Sequence, residues 1–266
     1  MAATQRQRTG RSLAAMTRTT PPTLVAVAHG SPDPRAQHSV RALVRLVRAL
    51  RPGLRVELGH LESDEPLLGD TLAKLRGRAV LVPLLFSRGY HLKRDLPAVA
   101  ARAEARGGPR TVTAACLGPH PLLAEALHSR LLEAGWAAAP GTAVVLAAAG
   151  SLDPESAAGT QHTADLLAAR LGGVPVVPAY ASAARPTVAE AVAGLRERGH
   201  AADDIALASC FVAPGLFAAR CQRDAPGRVV AAPLGAHPAL ARLLLHRYDQ
   251  AVAASPAPRQ PLEAAL

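Results

Sequence analysis

The hydrophobic positions of the chain follow two spacings, one typical of buried strands and one typical of amphipathic helices. Residues 24–28 form a short apolar run, and apolar residues then recur at helical spacing from Val40 to Leu50. Arg41, Arg45 and Arg48 fall on the opposite, solvent face of that helix. The same succession of apolar run and helical segment continues along the chain. It predicts strands that alternate with helices, the order that builds a parallel α/β sheet.

The pattern predicts eight strands, four in each half of the chain. They lie near 24–28, 54–59, 79–85 and 111–116, and near 143–148, 174–179, 205–210 and 228–231. The expected fold class is therefore α/β, with two similar doubly wound lobes that each contain a four-stranded parallel sheet. The expected lobes cover residues 23–139 and 140–252, between an N-terminal tail, 1–22, and a C-terminal tail, 253–266.

Repeated motifs indicate that the two halves arose by duplication. Gly30-Ser31-Pro32-Asp33-Pro34 recurs 120 residues later as Gly150-Ser151-Leu152-Asp153-Pro154. Leu117-Gly118-Pro119-His120-Pro121 recurs as Leu234-Gly235-Ala236-His237-Pro238 near the end of the second half. Two more matched pairs lie between these motifs in the same order, Pro66 with Pro186 and Gly89 with Gly215. Four anchors in one order predict two copies of one structural unit.

The composition restricts which cellular compartment and which partners are expected. The chain has 266 residues with 49% hydrophobic and only 3% aromatic residues, and its three cysteines are too widely spaced for a disulfide framework. This cysteine usage is typical of the reducing cytoplasm. No apolar run approaches the roughly 18 residues that cross a bilayer, so no membrane partner is expected. A nucleic-acid partner is not expected, because so few aromatic residues offer no stacking platform for bases.

The net charge of +10 is unevenly distributed. Residues 1–22 carry four arginines and no acidic residue, and we interpret them as a disordered basic tail. An organellar transit peptide is the alternative, but the Ala, Arg and Pro bias of that segment runs through the whole chain. The remaining positive charge by itself fits an acidic partner of any of three kinds, namely nucleic acid, a membrane or a polycarboxylate small molecule.

Three candidate site residues follow successive predicted strands of the first half: His29, Glu62 and His91. Ligands bind beyond the carboxyl ends of the strands in open α/β sheets, so these side chains are expected to converge. Two imidazoles and a carboxylate suit a borderline divalent metal, and neutral histidine also accepts a proton near pH 7.

The duplication provides an internal control for these candidates. Ala149, Ser182 and Phe217 stand at the second-half positions of His29, Glu62 and His91, so a single active centre is expected. His120 and His237 occur in both halves at predicted helix starts. We therefore predict structural roles for those two histidines.

The sequence resembles the sirohydrochlorin and cobalt chelatase family. The resemblance rests on Ala28-His29-Gly30-Ser31, Asp33-Pro34-Arg35, Phe86-Ser87-Arg88-Gly89-Tyr90-His91 and Asp95-Leu96-Pro97, and it covers most of the chain. It implies a class II tetrapyrrole chelatase, a lyase that inserts Fe²⁺, Co²⁺ or Ni²⁺ without ATP. Two features depart from the family pattern: Arg88 stands where the family often has a small residue, and the second lobe lacks the ligand set.

The resemblance also implies roles for individual residues. His29, His91 and Glu62 would handle the metal and accept protons, while the substrate, an octacarboxylate tetrapyrrole, would contact the following set: Ser31, Arg88, Tyr90, Lys93 and Arg94. The metal would be a substrate, iron for sirohaem being favoured over cobalt for cobalamin, and no tightly bound cofactor is expected. The chain would work as a monomer with pseudo-dimeric lobes.

Two other classes of protein lack their sequence signatures here. Nucleotide-binding glycine motifs and the G-x-S-x-G motif of α/β-hydrolases are both absent from the sequence. A non-catalytic metallochaperone or metal sensor with the same His, His and Glu set stays open.

Overall fold

The computed structural model describes residues 20–87, 94–225, 227 and 229–255. The first half contains a parallel sheet of four strands in the order β2-β1-β3-β4. These strands are β1 (Thr23–Ala28), β2 (Val56–His60), β3 (Arg78–Pro83) and β4 (Arg110–Thr113). The second half contains β5 (Ala143–Ala148), β6 (Val176–Tyr180) and β7 (Ile205–Ser209), parallel and in the order β6-β5-β7. The first three strands of each half therefore have the same arrangement.

Helices connect the strands and cover both faces of each sheet. The first half has α1 (Pro34–Leu50), α2 (Leu68–Ala73), α3 (Asp95–Ala105) and α4 (Pro121–Glu133). The second half has α5 (Pro154–Arg170), α6 (Val188–Glu197), a short 3₁₀ helix (Ala202–Asp204), α7 (Leu216–Arg223) and α8 (Pro238–Ala254). None of the helices in the part of the chain that the structure describes is long and apolar enough to cross a membrane.

The repeated motifs are helix starts in both halves. Asp33 and Asp153 accept a hydrogen bond from the backbone N–H two residues later, and a proline follows each as the first helical residue. His120 and His237 do the same through Nδ1, which accepts from the N–H of Leu122 and Ala239 at 3.1 Å. The prediction that these two histidines are structural is confirmed.

The prediction of a fourth strand in the second half, near 228–231, is wrong. Among the described residues this segment forms only an isolated bridge between Leu207 and Val230. Leu207 N–H donates to Val229, and Leu207 accepts from Ala231, both at 2.9 Å. Pro233 follows after one residue, and proline has no N–H to extend the ladder. The apolar sequence matched a strand, but the segment is too short to pair as one.

One hydrophobic core runs through both halves. Strand β1 turns Leu24 and Ala26 toward this shared core, whereas Val25 and Val27 face a separate cluster beneath α2 and α3. Strand β5 alternates in the same way, with Val144 and Leu146 in the shared core. The pairs α1 with α8, α4 with α5, and α4 with α8 pack across the boundary between halves. Leu50 at the end of α1, expected on its apolar face, is instead exposed.

Two arginines tie the halves together in a reciprocal way. Arg130 on α4 donates from Nε and Nη2 to the carbonyl oxygen of Leu234, at 3.1 and 2.6 Å. Arg247 on α8 donates from Nη2 to the carbonyl oxygens of Leu117 and Pro119, at 3.3 and 3.2 Å. Each arginine thus contacts the repeated Leu-Gly-x-His-Pro motif of the opposite half. The interface between halves is therefore pseudo-twofold, as in an isologous dimer.

Candidate active site

A large cleft lies between the halves at the carboxyl ends of their strands. Its volume is about 1300 Å³, and its walls come from the turns after β1, β2, β5 and β6 and from the segment between β7 and α7. This is the position at which open α/β sheets bind ligands. Both halves line it, although only the first carries the predicted metal-handling residues.

Backbone geometry places His29 beside Glu62. The Glu62 N–H donates to the carbonyl oxygen of His29 at 3.0 Å, and Nδ1 of His29 lies 3.6 Å from Oε1 of Glu62. The two side chains are 39% and 61% exposed, so a molecule in the cleft can reach both. Gly30 makes this approach possible: it has φ +108°, and a Cβ there would lie 1.8 Å from the carbonyl oxygen of Glu62.

The second half reproduces this backbone without its chemistry. Ser182 N–H donates to the carbonyl oxygen of Ala149 at 3.0 Å, and a Cβ on Gly150 would lie 1.9 Å from the Ser182 oxygen. Ala149 and Ser182 therefore occupy the structural positions of His29 and Glu62. The turn persists in both halves, and the imidazole and carboxylate occur in one.

Several predicted site residues lie outside the described residues. These are Arg88, Tyr90, His91 and Lys93. Ser31 and Arg94 are described, and both line the cleft. Ser31 donates its N–H to Oδ2 of Asp64 at 2.9 Å, and its hydroxyl accepts from the N–H of Asp33 at 3.2 Å. Within the described part of the chain, no cluster of three His, Cys, Asp or Glu side chains could hold a metal ion.

Two polar residues of the cleft were missed by sequence reasoning. Asp64 fastens the turn that carries His29, and its second-half counterpart is Ala184, so comparison of the halves could have found it. His60 is buried at the end of β2, where its Nδ1 lies 3.2 Å from the carbonyl oxygen of Pro66. A carbonyl oxygen only accepts, so Nδ1 is the donor in this contact.

One described cysteine, Cys210, lines the cleft. Burial raises the pKa of the Cys210 thiol to about 12, so it is a neutral thiol at pH 7. Other groups of the cleft wall that can bind a metal include the imidazole of His29 and the carboxylates of Glu62 and Asp64. Such ligands suit several divalent first-row metals and release them more readily than a closed thiolate site does.

The structure is a two-lobed α/β molecule with an imidazole and carboxylate pair in the cleft between its lobes. Comparison with protein families identifies the class: the CbiX model matches residues 23–134 and again residues 143–251. The chain belongs to the CbiX family, and each half matches the family model once.

Individual relatives agree with this assignment. The sirohydrochlorin cobaltochelatase of Methanosarcina barkeri is 27% identical over 123 residues, which are 42% of this chain and 95% of that protein. The structure of SirB from Bacillus subtilis with Fe³⁺ superposes with a TM-score of 0.74 at 22% identity, covering 88% of this chain and 96% of that one. CbiX, described as the terminal enzyme for biosynthesis of siroheme in denitrifying bacteria, gives 0.66 at 21% identity, covering 86% and 99%. The structural matches establish the shared fold.

Proposed function

We propose that this protein is a sirohydrochlorin chelatase that inserts a divalent metal ion into an octacarboxylate tetrapyrrole without ATP. The observation that carries the proposal is the cleft of about 1300 Å³ with the His29 and Glu62 pair on one wall. The relatives named above include sirohydrochlorin chelatases, which supports the same reaction for this chain. Residues 23–139 would form the working lobe and residues 140–252 a supporting lobe, in a monomeric protein.

The size of the cleft favours a chelatase over a metallochaperone or metal sensor. A metal ion with a few bound waters needs little room, since one water accounts for about 30 Å³ of liquid volume. A cavity of about 1300 Å³ exceeds that need many times over and is of the size that encloses a large organic ligand. The metal site therefore lies in a space that fits a second, much larger substrate.

The reaction needs groups that hold a metal weakly and accept protons. Insertion removes two pyrrole N–H protons and transfers the metal from protein ligands to the macrocycle. His29 and Glu62 lie together on the wall of the cleft, and His91 is the third member that we propose from the sequence. Any of these three accepts a proton in its basic form, and none binds a metal as tightly as thiolate.

Positive charge near the cleft suits a polycarboxylate substrate. Arg94 lines the cleft immediately before α3, and we propose that Arg88, Lys93, Tyr90 and Ser31 also contact the substrate. Guanidinium groups bind carboxylates through paired hydrogen bonds, so arginines are effective at this task.

The decisive experiment is anaerobic incubation of the full chain with sirohydrochlorin and one metal at a time. Fe²⁺, Co²⁺ and Ni²⁺ are compared by the absorbance change on insertion, and we expect turnover with Fe²⁺, with Co²⁺ as the alternative physiological metal. His91→Ala should abolish insertion, whereas His162→Ala, at an exposed position on α5, should not. Absence of insertion with all three metals would refute the proposal.

Titration of the chain with Co²⁺ tests the number of centres. We expect one specific site per chain, lost in His29→Ala and His91→Ala and unchanged in Ser182→Ala. Two equivalent sites would contradict the assignment of one working lobe.

A further inference from the structure

The two most exposed large hydrophobic side chains among the described residues lie at the cleft, on the wall opposite His29 and Glu62. Leu152 is 86% exposed and Leu216 is 75% exposed, the two highest values among the large hydrophobic residues that the structure describes. Phe217, next to Leu216 in sequence, is 42% exposed, and all three residues line the cleft. Single exposed apolar residues are ordinary, but a cluster at the mouth of a cavity marks a binding surface.

The fold holds these side chains in place while leaving them uncovered. Leu216 and Phe217 begin α7, which is fixed to the second half by the buried residues Ala218 and Cys221 on its other face. Arg220 adds a hydrogen bond of 3.0 Å from Nη1 to the carbonyl oxygen of Ala181. The helix is therefore anchored by other residues, so its stability does not require large apolar side chains at its first two positions.

The start of α7 faces the metal-handling wall. A Cβ built on Gly215, the residue before α7, would lie 3.7 Å from Oγ of Ser31 in the turn after His29. The two walls thus approach each other at this point and differ in character. One carries His29, Glu62 and Asp64, and the other carries Leu152, Leu216 and Phe217.

We propose that Leu152, Leu216 and Phe217 form an apolar platform on which the flat face of the tetrapyrrole packs, so that the second half sets affinity for the macrocycle while the first half handles the metal. This inference rests on the proposed function and deepens it. A tetrapyrrole has an apolar ring and charged carboxylates at its edge, which complements a cleft that presents exposed apolar side chains opposite the polar groups of His29, Glu62 and Asp64. Burying one large apolar side chain against the ring adds favourable free energy that metal ligands do not supply.

The internal duplication agrees with this division of labour. In the aligned halves, Leu216 and Phe217 stand at the positions of Tyr90 and His91, and Leu152 stands at the position of Pro32. Three positions on the second half thus carry large apolar side chains where the first half has proline or polar groups. The second wall has a chemistry of its own rather than a truncated copy of the first.

The test measures binding of the two substrates separately on the full chain. The probe is metal-free uroporphyrin I, an octacarboxylate porphyrin followed by its fluorescence, and the variant combines Leu152→Ser, Leu216→Ser and Phe217→Ser. We expect porphyrin affinity to fall at least tenfold while Co²⁺ affinity stays within twofold. The control Leu132→Ser, at an exposed position on α4 away from the cleft, should change neither. His29→Ala should show the opposite pattern, with Co²⁺ binding lost and porphyrin binding kept.

Three results would overturn the platform. Unchanged porphyrin affinity in the triple variant would do so directly, provided that the wild-type chain binds the probe. A dimer in the wild type that becomes a monomer in the variant, at constant porphyrin affinity, would assign the surface to a second copy of the chain. Equal losses of Co²⁺ and porphyrin affinity would show that the walls are not separable. A wild-type chain that neither binds the porphyrin nor inserts metal fails the proposed function itself.

Discussion

The turn after β1 and the turn after β5 have the same backbone and different chemistry. Both use a glycine at positive φ that lies against the carbonyl oxygen of the next turn, and both begin a helix with Asp-Pro. Only the first adds an imidazole and a carboxylate, His29 and Glu62. The comparison teaches that the backbone of this turn serves the fold, because it persists without the reactive groups. Function is therefore assigned by the side chains that differ between halves.

The strongest test of this comparison is to substitute the side chains that differ between the two turns. Glu62→Gln and His29→Ala should each lower metal insertion by about a hundredfold or more, the range of a lost acid–base or ligand group. Ser182→Ala, at the matched position, should lower it by less than about twofold. The measurement is the steady-state rate of metal insertion, and circular dichroism checks that each variant is folded. Equal losses at Glu62 and Ser182 would mean that both turns take part.

The features that the halves share should matter for stability rather than activity. Arg247→Ala leaves the carbonyl oxygens of Leu117 and Pro119 without their donor, and Arg130→Ala does the same to Leu234. An unsatisfied buried polar group costs about 1–3 kcal/mol, so each variant should lose that much free energy of unfolding in urea. Arg45→Ala, an exposed arginine on α1, is the control and should be neutral. A neutral Arg247→Ala would show that the reciprocal contacts do not stabilise the interface.

The two capping histidines predict how stability depends on pH. Burial first and then Arg247 and His246 hold the pKa of His120 below its ordinary value of 6.5. Burial and then Arg130 lower the pKa of His237. Between the folded and unfolded pKa values the unfolded chain binds more protons, so stability is complete above about pH 6.5 and falls as the pH drops through the folded pKa. The melting temperature should decline over this range.

A double variant isolates this effect. His120→Asn with His237→Asn keeps a side chain that caps helices and removes the titration. Its melting temperature should depend less on pH between 7 and 5 than that of the wild type. An unchanged slope would assign the acid sensitivity to other groups.

The smallest expected effect concerns salt and the basic residues of the cleft. Binding of the octacarboxylate porphyrin should weaken modestly from low to physiological ionic strength, because attraction between partly exposed charges is screened. Arg94→Ala, and Arg88→Ala by the sequence proposal, should flatten that dependence. If the porphyrin affinity of the wild type does not depend on salt, the basic residues do not contribute to binding.

Much of this organisation was accessible from the sequence because it is local or repeated. The apolar run at 143–148 coincides with β5, and the helix starts at Asp33 and Asp153 follow from the side chain and proline alone. The prediction of a fourth strand in the second half was wrong because strand pairing depends on neighbouring strands as well as on apolar residues. The reciprocal arginines and the buried His60 were missed because each is defined by a contact with a residue distant in space or across a turn.

The apolar platform could not be predicted from the sequence for a different reason. Periodicity assigns apolar residues to a core, and Leu216 and Phe217 precede Ala218 and Cys221, which are indeed buried. Nothing local distinguishes the two pairs, since exposure depends on where α7 sits against the cleft. The candidate pair His29 and Glu62 was accessible because strand ends converge by topology.

The continuous hydrophobic core has a consequence for how the molecule folds. Since α1 packs on α8 and α4 packs on both α5 and α8, neither sheet completes its inner layer without helices from the other half. The chain consists of two covalently joined halves, and we expect it to unfold as one cooperative unit, in a single transition whose denaturant dependence reflects the surface of the whole chain. The exposed connector at 137–141 then acts as a tether. A protease cut there would leave two fragments that remain associated in native buffer and part only when the common core melts.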